Sequence, residues 1–94
     1  MNAGEYSLYI VRCADGSLYT GIAIDVERRL VEHASGNRGA KYLRGKGPLQ
    51  LVFSERLGDR GRASQAEFRV KRLDKGQKEQ LIAGQHSLAE LLGD

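Results

Sequence analysis

The sequence predicts an α+β fold: a small three-stranded antiparallel sheet flanked by helices. Two apolar runs, Ser7-Leu8-Tyr9-Ile10-Val11 and Leu18-Tyr19-Thr20-Gly21-Ile22, are separated by the turn residues Ala14-Asp15-Gly16, which is the pattern of a β-hairpin. After Asp25, and again after Arg62, apolar residues recur at three- and four-residue spacing, as on one face of a helix. The resulting order, strand, strand, helix, strand, helix, helix, suits a sheet with helices packed against it.

Residues 6–12 and 17–22 read as the hairpin strands, and two turns fit between them. A two-residue loop, Asp15-Gly16, pairs Ala14 with Ser17 and puts Tyr9 and Tyr19 on opposite faces. A three-residue loop with Gly16 left-handed pairs Cys13 with Ser17, and both tyrosines then share a face with Val11 and Gly21, because side chains alternate along a strand. The sequence leaves both open. Asp25 is a good N-cap for a helix over 26–35, with Glu27 in its first turn and Gly36 as its stop. Its expected core stripe is Val26, Leu30 and Ala34, with Val31 alongside. Arg29 and His33 stack on one face at the edge of that stripe. Residues 37–48 form a Gly-rich basic loop ending at Pro48. Residues 50–54 read as a third strand and 58–61 as a turn. A helix over 62–73 would turn Ala63, Ala66, Val70 and Leu73 inward, with Glu67 beside them. A third helix over 75–83 follows Asp74, and Ser87-Leu88-Ala89-Glu90 is a capping box for a short last helix.

A length of 94 residues with 40% hydrophobic content suits one domain over 1–94 with one modest core. No apolar run approaches the ~18 residues of a membrane span, and the N-terminus lacks a basic segment followed by an apolar one. A protein of the reduced cytoplasm, with no membrane partner, is expected. One cysteine closes no internal disulfide, and two histidines with one cysteine make no zinc site. The net charge is only +3, but it is unevenly spread. Arg38, Lys41, Arg44 and Lys46 stand in a stretch without an acid. Arg60, Arg62, Arg69, Lys71 and Arg72 stand against Glu67 alone. A basic loop and a basic helix imply a phosphate-binding face, with an ordinary solvated surface as the bland alternative. Gly39, Gly45 and Gly47 let the backbone approach a phosphate chain, and Tyr42 is placed to stack on a base. Arg38, Lys41, Arg44 and Lys46 are thus the candidate nucleic-acid contacts, reading backbone rather than base edges.

The tyrosines, Arg29, His33 and Glu67, taken in order, resemble the GIY-YIG nuclease family over about residues 6–83. The likeness is to its small stand-alone bacterial members, related to the nuclease domain of the excision-repair incision subunit. Ser7-Leu8-Tyr9 corresponds to the first motif and Tyr19-Thr20-Gly21 to the second, with Gly21 the structural glycine. Arg29 follows Tyr19 by ten residues, as the family's catalytic arginine does. His33 falls where homing members carry a histidine, and Glu67 matches the metal-binding carboxylate. The resemblance implies an endonuclease that hydrolyses DNA phosphodiesters with one Mg²⁺ or Mn²⁺, selects structure rather than sequence, and serves DNA repair or processing. Tyr9 or Tyr19 would take a proton from the attacking water, with a nearby cation favouring phenolate. Arg29 would grip the phosphate bidentately, His33 would move a proton or bind a neighbouring phosphate, and Glu67 would hold the ion. Departures are Ser7 for the first glycine, Ile22 where repair-type members place a lysine, and no asparagine after Glu67. Structural alternatives stand beside these roles: Arg29 pairing with Asp25, Glu67 pairing with Lys71, and His33 merely packed. The rival functions are a non-catalytic nucleic-acid-binding module, and a nuclease active only with a partner protein that supplies specificity.

Overall fold

A computed structural model describes residues 4–35, 43 and 46–92. Leu8, Tyr9, Ile10 and Val11 are all buried, as expected of a strand covered on both faces. They lie in β1 (Tyr6–Arg12), the middle of an antiparallel sheet of order β2-β1-β3, with β2 at Leu18–Ala23 and β3 at Gln50–Gly58. Four helices follow the hairpin or β3: α1 (Val26–Ser35), α2 (Arg60–Lys71), α3 (Lys75–Ile82) and α4 (Leu88–Leu92).

The hairpin takes the three-residue turn. Cys13 N donates to Ser17 O at 2.8 Å, Gly16 N donates to Cys13 O at 2.9 Å, and Gly16 has φ 87°, a value that favours glycine. Asp15 Oδ1 accepts from both Ser17 N (3.0 Å) and Ser17 Oγ (2.6 Å), which fixes the turn locally. The register then sets Tyr9 opposite Gly21 and Val11 opposite Tyr19, so both tyrosines share a face.

Strand alternation divides the interior in two. Leu8 and Ile10 pack with Ala66, Val70, Leu81 and Leu88 on the side of α2, α3 and α4. Tyr9 and Val11 pack with Cys13 and Leu43, and with the half-buried Tyr19, Val26 and Leu30, on the side of α1. Side-chain caps start the helices: Asp25 for α1 (Arg28 N, 3.1 Å), Asp59 for α2 (Arg62 N, 2.8 Å) and a complete Asp74–Gln77 capping box for α3. Ser87 and Glu90 form the reciprocal pair expected at α4. Arg12, at the end of β1, donates bidentately to Glu79 of α3 at 2.7 Å for each bond, tying helix to sheet.

Three sequence expectations are corrected. The third strand extends four residues past residue 54, to Gly58, because β1 pairs along its whole length, with register shifts at Tyr6/Ser7 and Ile10/Val11. Residues 58–61 form no separate turn: Gly58 (φ 116°) ends the strand, Asp59 caps, and Gly61 is already helical. On α1, Val31 is 68% exposed and Ala34 is exposed, whereas His33 is 3% exposed. The buried face is rotated toward Leu30 and His33 because His33 finds a hydrogen-bond partner inside.

Candidate active site

The site forms where the hairpin face carrying both tyrosines meets α1. Gly21 opens the space. A Cβ there would stand 2.5 Å from Tyr9 Oη and 2.6 Å from Tyr9 Cζ, so only glycine lets the Tyr9 ring lie flat across β2. The ring reaches α1, where Tyr9 Oη lies 2.8 Å from His33 Nε2. The Tyr19 ring stands 6.5 Å from that of Tyr9 and meets His33 edge-on at 5.6 Å. Tyr9 is 1% exposed, whereas Tyr19 and Arg29 are half-buried.

Arg29 lies one turn before His33. Its Nη1 donates to Glu32 Oε1 at 2.9 Å, and its charge is close enough to the Tyr9 hydroxyl to act on it. The Glu32 bond, then Tyr9, hold the arginine charged against the opposing effect of burial. Arg29 is therefore held by Glu32, its partner on α1, rather than by Asp25, whose carboxylate caps the helix. Burial, and then the charge of Arg29, push the His33 pKa down, with Glu32 opposing. His33 is thus neutral near pH 7. Tyr9 Oη and His33 Nε2 share one hydrogen bond at 2.8 Å, with the proton on whichever atom the histidine tautomer leaves as donor. Burial and the neighbouring Tyr19 raise the Tyr9 pKa to about 12, with Arg29 pulling the other way and Glu67 adding to the rise.

These shifts give a pH dependence with a definite sign. His33 titrates near 6.5 when unfolded and lower when folded, so below about 6.5 the unfolded chain binds more protons and stability falls with pH. Tyr9 titrates near 10 unfolded and about 12 folded, so its contribution is complete below 10 and is lost as pH rises from 10 to 12. Melting temperature followed from pH 8 down to pH 5 is expected to fall, and the fall is expected to shrink in His33→Gln. An unchanged acid limb in that variant would assign the loss to other groups.

α2 completes the site from the far side of β2. Glu67 is close enough for its charge to act on Tyr9; its side chain is 24% exposed and pairs with Lys71 at 3.3 Å. Lys71 Nζ in turn lies 5.9 Å from the Tyr19 ring centroid. Among the described residues no group of three or more His, Cys, Asp or Glu could hold a metal ion, which leaves Glu67 as a single candidate carboxylate. Such hard oxygen donors fit Mg²⁺ or Mn²⁺, which keep several waters and complete their shell on a substrate phosphate. They do not fit zinc.

Tyr9, Tyr19 and His33 thus meet in ring contact, Gly21 makes room for the Tyr9 ring, and Glu67 is linked to Tyr19 through its ion-pair partner Lys71. Of the proposed nucleic-acid contacts, Arg38, Lys41, Tyr42 and Arg44 lie outside the described residues. Lys46 stands away at the hairpin turn: its Nζ pairs with Asp15 Oδ2 at 3.1 Å, and its carbonyl accepts from Ala14 N at 3.0 Å. Glu32 was missed as a site residue. Its i,i+3 spacing from Arg29 was visible in the sequence, but Asp25 competed for the same arginine.

Comparison with known proteins gives the family and the fold. The model of the GIY-YIG catalytic domain matches residues 5–80. The chain is similar to the UPF0213 protein YhbQ of Escherichia coli, 60% identical over 85 residues, covering 90% of this chain and 84% of that one. It is likewise similar to a UPF0213 protein of Cronobacter sakazakii, 57% identical over 81 residues, covering 86% and 84%. Two structures solved by NMR in solution share the fold. One is a UPF0213 protein of Bacillus halodurans (TM-score 0.55, 46% identity, 84% and 83% covered). The other is a protein of E. faecalis (TM-score 0.62, 39% identity, 90% of each chain covered). A family match running from residue 5 to residue 80, with relatives 57–60% identical over most of its length, places the chain in the GIY-YIG catalytic-domain family.

Proposed function

We propose that the protein is a divalent-metal-dependent endonuclease that hydrolyses phosphodiester bonds in DNA. The observation that carries this reading is Arg29, held by Glu32 at 2.9 Å on the same helix whose His33 bonds Tyr9 at 2.8 Å and meets the Tyr19 ring. It supports a fixed fork donor beside two phenols. Arg29 grips the phosphate and stabilises the charge that develops on its oxygens. Tyr19, at the accessible rim, contacts the attacking water. Tyr9 and His33 lie behind as positioning residues: Tyr9 stands beside the guanidinium, and His33 fixes the Tyr9 hydroxyl through their 2.8 Å hydrogen bond. Glu67, with oxygens of the substrate, would hold Mg²⁺ or Mn²⁺, which supplies Lewis-acid activation of the phosphate and an acidified water.

The substrate class follows from how the basic residues read. Arg60, Arg62, Arg69, Lys71 and Arg72 on and beside α2 offer charge to backbone, not donor patterns to base edges. DNA of unusual structure is therefore favoured over a defined sequence, with a role in repair or processing and a partner protein supplying further selectivity. The Glu67–Lys71 ion pair favours one rival, a binding module of the same fold. Against it, Arg29 is still held by Glu32 on the helix that meets both tyrosines.

The test is cleavage of labelled single-stranded, duplex, nicked and branched DNA, and of RNA, with Mg²⁺, Mn²⁺ or chelator. Metal-dependent DNA cleavage is expected, falling about 10²-fold or more in Glu67→Ala. Salt-sensitive binding without cleavage in any metal would establish the binding module instead.

A further inference from the structure

Lys71 follows Glu67 by one helical turn, and its Nζ lies 3.3 Å from Glu67 Oε2. An ordinary i,i+4 pair of this kind sits out in solvent. This one is laid across the site, with the same ammonium 5.9 Å from the Tyr19 ring centroid and the carboxylate within electrostatic range of Tyr9. Lys71 therefore stands on the ground from which a divalent ion would approach Glu67. The two cations repel each other, and one carboxylate cannot satisfy both at full strength. The lysine stem is flexible and half of its side chain is exposed, at 50%, so the ammonium can leave without disturbing the helix.

We propose that Lys71 is a displaceable counter-ion of Glu67: it fills the place of the divalent ion in the resting protein and turns to a substrate phosphate once the ion enters. The inference rests on the reading of Glu67 as the ion-holding carboxylate. Two consequences follow. The ion binds weakly without nucleic acid, because it must first displace a bound cation. Nucleic acid and ion then promote each other's binding by the same factor, since each takes one half of the broken ion pair.

The experiment is titration of the full chain with Mn²⁺, following the paramagnetic signal of unbound ion, in wild type, Lys71→Met and Glu67→Gln. Methionine keeps the aliphatic stem and removes the charge. Without nucleic acid, Lys71→Met is expected to bind Mn²⁺ at least about fivefold more tightly than wild type, the lower range of ordinary coupling between sites. Adding a short DNA oligonucleotide with phosphorothioate linkages throughout is expected to tighten wild-type Mn²⁺ binding by a similar factor, and by less in Lys71→Met. Equal affinities in wild type and Lys71→Met, with binding lost in Glu67→Gln, would overturn the role of Lys71 and leave Glu67 as the ion ligand. No Glu67-dependent binding in any form would overturn both.

Discussion

Replacing Arg29 by alanine is expected to lower the rate of phosphodiester cleavage by about 10²–10³-fold, the ordinary cost of removing one preorganised donor from a developing oxyanion. The effect is large because the side chain is not left to find its pose: Glu32 holds one nitrogen at 2.9 Å. A guanidinium fixed before the substrate arrives needs no reorganisation during reaction. Arg29→Lys is expected to behave more like alanine than like wild type, because an ammonium cannot keep Glu32 and a phosphate in one plane. Stability should change little, since Glu32 is partly exposed (25%) and can be solvated when its partner goes. Single-turnover cleavage at saturating enzyme, with melting curves of each variant, separates chemistry from folding. Cleavage by Arg29→Ala within about threefold of wild type would place the charge-stabilising group elsewhere.

Gly21→Ala is expected to cost about 1–3 kcal/mol of stability through overpacking, together with most of the activity. The glycine backbone is not left-handed, so conformational freedom is not the reason; space is. The new methyl carbon would lie 2.5 Å from Tyr9 Oη and 2.6 Å from Tyr9 Cζ. The ring cannot retreat, because Tyr9 packs with Val11, Cys13 and Leu43 and its hydroxyl is bonded to His33. In Tyr9→Phe the nearest obstructing atom is gone, so the alanine penalty is expected to shrink in the double variant. That non-additivity is the signature of direct contact. Thermal melts of the four chains measure it, and strictly additive effects would mean that the Tyr9 ring does not cross Gly21.

Much of this was legible in the sequence where the signal is local. The strand at 6–12, α1 over 26–35, and the caps at Asp25, Asp74 and Ser87 follow from residues within a few positions of one another. The hairpin strands were legible too, but not their relative phase: Ala14-Asp15-Gly16 accommodates either turn, and only pairing of Cys13 with Ser17 puts the tyrosines together. The far half of β3 was hidden because Glu55 and Arg56 are exposed and charged, while what makes them strand is pairing with Leu8 and Ser7. His33 was placed at an edge because periodicity counts histidine as polar. Its burial depends on a tyrosine 24 residues away. The link from Glu67 through Lys71 to Tyr19 likewise depends on how α2 crosses β2, which no local pattern encodes.

The alternation along β1 gives the molecule two interiors with unequal freedom to drift. Exchanging aliphatic residues among Leu8, Ile10, Leu81 and Leu88 changes packing alone, at a cost of about 1.5 kcal/mol or less when volume is kept. The other interior is partly made of the proposed site, because Tyr9, which fills it, is also hydrogen-bonded to His33. A change there alters a titration or an orientation even where it packs well. Diverging descendants should therefore scramble one side of the sheet while holding the other nearly constant, and a designer seeking a more robust version has one side on which to work.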